Sequence, residues 1–78
     1  MDENVLSRMM ELLDIQQEHC LRAGAEVVVN GLGKPKGGNE KQNSYYYGHL
    51  NMAEALALEI GKRIIKVDGK HKLVDERR

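Results

Sequence analysis

The sequence predicts a mainly α fold: a hairpin of two helices joined by a long Gly/Lys loop, assembling as a helical-bundle homo-oligomer. Three observations predict it. Leu6, Met10, Leu13, Gln17, Cys20, Gly24 and Val27 recur at a 4,3 spacing, which lays them along one helical stripe. Tyr46, Leu50, Ala53, Ala57, Ile60 and Ile64 form a second such seam, widened on both sides by Met52, Leu56, Leu58 and Ile65. A helix this apolar around its circumference needs more than one neighbour, and one preceding helix cannot cover it. A chain of 78 residues without Trp or Phe has a thin core, and its single cysteine cannot form an internal disulfide. Oligomerisation is the remaining source of stability.

Helix 1 is expected over about 3–29. Asp2 or Asn4 supplies an N-cap, and the interior from Ser7 to Arg22 holds neither Gly nor Pro. Its end is ambiguous, because both Gly24 and Asn30-Gly31 are left-handed stop signals. The unbroken spacing through Val27 favours the later one. If Gly24 is the stop, the β-branched run Val27-Val28-Val29 becomes a short strand over 26–30.

A loop over 30–43 follows. It contains four of the eight glycines, the only proline and three lysines. Helix 2 is expected over about 44–66, with Asn39, Asn43 or Ser44 as cap, and a tail over 67–78 that frays from Asp75 to Arg78. The alternative is a small α+β fold. In it Ile64–Val67 and Lys70–Val74 form a β-hairpin about an Asp68-Gly69 turn, with 26–30 as a possible third strand.

Charge excludes some functions. Net charge is zero, with −4 over residues 1–30 and +4 over residues 61–78. A neutral total argues against a dedicated duplex-DNA binder. No apolar stretch approaches the roughly 20 residues of a membrane span. An acidic start without a leader pattern and a free thiol predict a cytoplasmic protein.

Backbone freedom, positive charge and aromatic surface converge on the loop and the Tyr45-Tyr46-Tyr47 run after it. The loop is not a Walker motif, because Asn39-Glu40 stands where Lys-Ser/Thr belongs. It fails the dinucleotide fingerprint as well. The leading expectation is a non-enzymatic, oligomeric binding protein for a small anionic, nucleotide-like ligand. Lys34, Lys36 and Lys41 would meet phosphate. Tyr45 and Tyr47 would stack on a base, with Asn43, Ser44 and His49 as polar readers. Tyr46 falls on the core seam.

The alternatives are a protein-interaction module, such as an inhibitor or adaptor, and a single-stranded nucleic-acid binder using the basic tail. No constellation supplies a nucleophile with its base, so no catalytic residue, metal ligand or cofactor is expected. Cys20 reads as a buried thiol, His71 as a surface residue, and Asp14, Glu11 and Glu18 as solvated. In size and pattern the chain is similar to small accessory proteins of phages and mobile elements.

Overall fold

The computed structural model describes residues 2–76, so Arg77 and Arg78 of the expected tail lie outside the described residues. Two helices, α1 (Glu3–Arg22) and α2 (Glu40–Glu59), are followed by two strands, β1 (Lys62–Val67) and β2 (Lys70–Asp75). The helices run antiparallel, and the β-hairpin packs across one side of the pair. The fold is therefore α+β. The helical hairpin stands, and the mainly α reading is corrected by the strands.

The helix 1 boundary moves from 29 to 22 because Gly24, at φ +94°, takes the left-handed position. The Gly24 N–H donates to Leu21 O and the Ala25 N–H to Cys20 O, both at 3.0 Å. That pair of bonds is a Schellman stop, and buried Cys20 and Ala25 seal it. Val28 and Val29, read as helix or strand, are exposed. Only Glu26 bridges, and it pairs with Lys36 of the loop, so 26–30 adds no third strand.

Helix 2 starts earlier than expected, at Glu40, because Asn39 is the cap and its side chain accepts from Gln42 N. It ends at Glu59 because Gly61, at φ +72°, takes a left-handed conformation and breaks the helix between Ile60 and Ile64 of the expected seam. The expected boundary at 66 overlooked that glycine and the β-branched content of Ile64-Ile65-Lys66-Val67. Asp68 (φ 54°) and Gly69 (φ 79°) make the two-residue turn, with Val67 opposite Lys70. Both turn residues have positive φ, which fits the type I′ geometry of tight hairpins. Asp75, expected to fray, lies opposite Lys62 in the last rung of the ladder.

The core lies between the layers. Leu6, Met10, Leu13 and Cys20 of α1 meet Tyr46, Leu50, Ala53 and Ala57 of α2, and Ile64 closes it from β1. The hairpin thus covers part of α2 that the sequence reading assigned to other copies.

Candidate functional site

The inward face of the hairpin is half polar. Strand alternation points Ile64, Lys66, His71 and Leu73 at the helices, and Lys66 is the cross-strand partner of His71. Both polar residues are only 4% exposed. His71, expected on the surface, is buried because the hairpin turns it inward. Its ring lies between the two helices. Nδ1 stands 2.7 Å from Asp14 Oδ1, and Nε2 stands 2.6 Å from the Tyr46 hydroxyl. A carboxylate only accepts, so Nδ1 carries the proton and Nε2 accepts from Tyr46. Asp14 also accepts the His71 backbone N–H at 2.8 Å, so it is not simply solvated.

Burial and Asp14 act on His71 in opposite directions. Burial disfavours the cation, the Asp14 hydrogen bond favours it, and burial wins, so the imidazole titrates below its usual range. The contact is a hydrogen bond from a neutral ring, not an ion pair. Tyr46 is wholly buried, and desolvation raises its hydroxyl well above the usual tyrosine range. An Asp–His–hydroxyl chain resembles the logic of nucleophile activation. Here its terminal oxygen has no exposed surface to offer a substrate, so the chain acts as a clamp joining α1, β2 and α2.

Lys66 belongs to a second buried set. Its ammonium donates to Gln17 Oε1 at 2.8 Å and to Val28 O, both neutral oxygens. Burial without a balancing charge lowers its pKa. Gln17 Nε2 donates to Gly69 O at 2.6 Å, and Asn30 Oδ1 accepts from Asp68 N at 3.0 Å. The hairpin turn is thereby tied to α1 and to the segment after it. This burial removes Lys66 from the expected basic tail and leaves Arg63, Lys70 and Lys72 exposed.

The eight residues expected to hold a ligand are dispersed. Lys34 pairs with Glu40 at 2.8 Å, and the lysine holds that carboxyl below its ordinary range. Lys36 is tied by backbone bonds to Glu26 at 2.7 and 3.1 Å, with its side chain exposed. Asn43 is buried, and its side chain donates to Gly37 O at 2.7 Å. Tyr47 packs against the core, and Ser44 is exposed.

The loop glycines have a packing role. A Cβ on Gly38 would stand 2.7 Å from Ala25 N and 2.8 Å from Ala23 O, so the loop lies directly on the end of α1.

Tyr45 and His49 of the expected set share a cleft. It lies between the helices, has a volume of about 380 Å³, and is also lined by Gln16, His19 and Gln42. Gln16 Nε2 stands 2.6 Å from His49 Nδ1, and Lys41 lies 6.0 Å from the centre of the Tyr45 ring. Next to it is an apolar concavity of about 260 Å³ along Met9, Leu12, Ile15 and Met52. Leu12, Ile15, Tyr45 and Met52 are each more than half exposed, at 52–60%. The side of the helix pair away from the hairpin is therefore an open, mostly apolar layer.

Sequence reasoning missed this surface because it assigned Met52 to the core seam, whereas Leu56, assigned with it, does pack against the core. It missed the buried clamp because Lys66 and His71 carry no apolar signal. Gln17 on the core stripe of α1 was the one hint of a polar interior. No helix among the described residues is long and apolar enough to cross a membrane. Compared with known proteins, the chain matches no family model, no curated protein and no solved structure.

Proposed function

We propose that this chain is a non-enzymatic interaction protein that engages a protein partner through the open layer of its helix pair. The observation that carries this reading is the exposure of Leu12, Ile15, Tyr45 and Met52 on one side of two neighbouring helices. Scattered apolar residues on a surface need no explanation, but a contiguous patch over a concavity marks an interaction site. The enclosed Tyr46 hydroxyl supports the non-enzymatic part. A photo-crosslinking amino acid at Ile15 tests the reading in cells that make the protein. Adducts are expected from Ile15, diminished by Met52→Asp, and not from the same group at Lys70 on the hairpin. No adduct from Ile15 above the Lys70 control would refute it.

A second reading, a nucleotide-like ligand, has one observation in its favour. Tyr45, His49, Gln16, Gln42 and His19 converge on one cleft, with Lys41 beside it. A flat base on Tyr45 with a phosphate at Lys41 fits that chemistry better than the loop lysines do. Titration with nucleoside monophosphates, followed by tyrosine fluorescence, should show quenching that Tyr45→Ala and Lys41→Ala abolish. No response from the unaltered protein at millimolar nucleotide would remove this reading.

A further inference from the structure

The outer surface of α2 carries a second regular row, distinct from its buried seam. Lys41, Tyr45, Gly48, Met52, Ala55 and Glu59 follow a 4,3,4,3,4 spacing, and all six are exposed. Such spacing is the signature of a stripe that meets another helix. Gly48 is the odd member. Mid-helix glycine destabilises a helix relative to alanine. Among the described residues nothing beyond its own helical turn lies within 4 Å of where its Cβ would be, so no tertiary contact among them requires a glycine.

The row is complementary to itself. An antiparallel copy of α2 centred at the level of Leu50 sets large against small throughout. Met52 meets the partner's Gly48, Tyr45 meets the partner's Ala55, and Lys41 meets the partner's Glu59. Each contact occurs twice by symmetry, as an isologous interface requires. The Gln16–His49 bond fixes the level of α1, so Ile15 lies near the axis, where it faces its own counterpart.

Size also permits it. Twenty-residue helices are about 30 Å long. Two of them side by side at a spacing of 8–10 Å offer roughly 500 Å² per copy. The total of about 1,000 Å² reaches the lower bound for a specific interface.

We propose that α2 pairs antiparallel with α2 of a second copy of this chain along the row from Lys41 to Glu59. This commits the partner left general above to a second copy, and so rests on the open layer being an interaction surface. The hairpins then lie on the two outer sides of a four-helix layer pair.

The double variant Lys41→Cys/Glu59→Cys tests the pairing under mild oxidation. Within one chain the two positions are about 27 Å apart, so no internal disulfide can form. The native thiol of Cys20 is buried. The double variant is expected to become a covalent dimer at least tenfold faster than either single variant, because like positions lie at opposite ends of the seam. Equal rates, or no dimer from the double variant, would overturn the pairing.

Light scattering of the unaltered protein should give twice 8.8 kDa. Gly48→Arg, which fills the hole without touching the core, should give the monomer mass with unchanged circular dichroism. A monomeric unaltered protein whose Ile15 crosslinks to a different protein would refute the pairing and leave the interaction reading standing. A monomer with no Ile15 adduct would refute both.

Discussion

Tyr46→Phe removes one oxygen from the centre of the molecule and nothing else. The hydroxyl lies 2.6 Å from His71 Nε2, and the ring is wholly buried between α1, α2 and β2. Phenylalanine keeps the shape, so no cavity term enters. What remains is an imidazole acceptor enclosed without a donor, a situation that costs about 1–3 kcal/mol. A chain of 78 residues has a total stability of about 4–12 kcal/mol. The variant should therefore fold and melt lower, by roughly 5–20 °C at 4–8 °C per kcal/mol. Thermal and urea denaturation followed by circular dichroism measure it.

A double-mutant cycle isolates the bond. In a His71→Leu background no acceptor is left, so Tyr46→Phe should cost nothing and can even stabilise by removing a buried hydroxyl. Two results would refute the reasoning. One is a loss below about 0.3 kcal/mol in the unaltered background; the other is an equal loss in both backgrounds, which would mean that the hydroxyl acts elsewhere.

The remaining predictions concern charge and backbone. His71 titrates below its ordinary 6.5 when folded, so the unfolded chain binds the proton first as pH falls. Stability is full above about pH 7 and is lost as pH drops from 6.5 towards the folded value. Melting temperature should fall between pH 7.5 and 5.5, less so in His71→Gln, and a flat or rising profile would contradict the burial of a neutral ring. Gln17→Leu strips an acceptor from Lys66 and a donor from Gly69 O, at a cost of about 2–4 kcal/mol at pH 7. Burial holds Lys66 below its ordinary range, so that cost should shrink as pH rises and the buried ammonium loses its proton, and a pH-independent loss would argue against a charged Lys66. Gly38→Ala should destabilise by 2 kcal/mol or more, on the order of a core defect, because its Cβ meets backbone at 2.7 Å and its φ is +63°. Gly48→Ala, measured on the monomer, should stabilise by about 0.5–1 kcal/mol, and urea midpoints of the two variants check the contrast.

Much of the architecture was legible as periodicity. Both helical stripes are where the 4,3 spacing put them, and Cys20 and Tyr46 are buried as expected. Periodicity has no sense of where a helix stops, though. Two left-handed glycines, Gly24 and Gly61, overruled stripes that continued past them through Val27 and Ile64. The Asp68-Gly69 hairpin was readable from its turn chemistry and was set second only because α2 was drawn through it. The site was less legible. Asn43, expected as a polar reader, holds Gly37 O, and the loop glycine Gly38 lies on the end of α1, because polar caps and glycines serve both packing and recognition. His71 looked like a surface residue because its neighbours are lysines. Its burial follows from hairpin alternation, which is visible only once the register is known.

The distribution of polarity is the feature that most needs a physical reason. This chain buries Lys66, His71, Gln17 and Asn43 while leaving Leu12, Ile15, Tyr45 and Met52 half exposed or more. The two halves of that inversion have different consequences. Lys66, His71 and Gln17 lie where the hairpin meets the helices, and each bond there fixes geometry, while Asn43 holds the loop at Gly37. His71 reaches Asp14 and Tyr46 in one orientation only, and Lys66 reaches Gln17 and Val28 in one register only. A slip of β1 by one residue would turn Lys66 and Ile64 to solvent and bring Arg63 and Ile65 inward, breaking both sets at once. The polar contacts thus specify how a short hairpin docks in a core too small to specify it by shape. The apolar groups outside add nothing to that specification, and in a lone chain they expose surface to water. On the proposed pairing they become the second core that a chain of this length lacks, while the polar clamp fixes the hairpin on the opposite side of the helix pair.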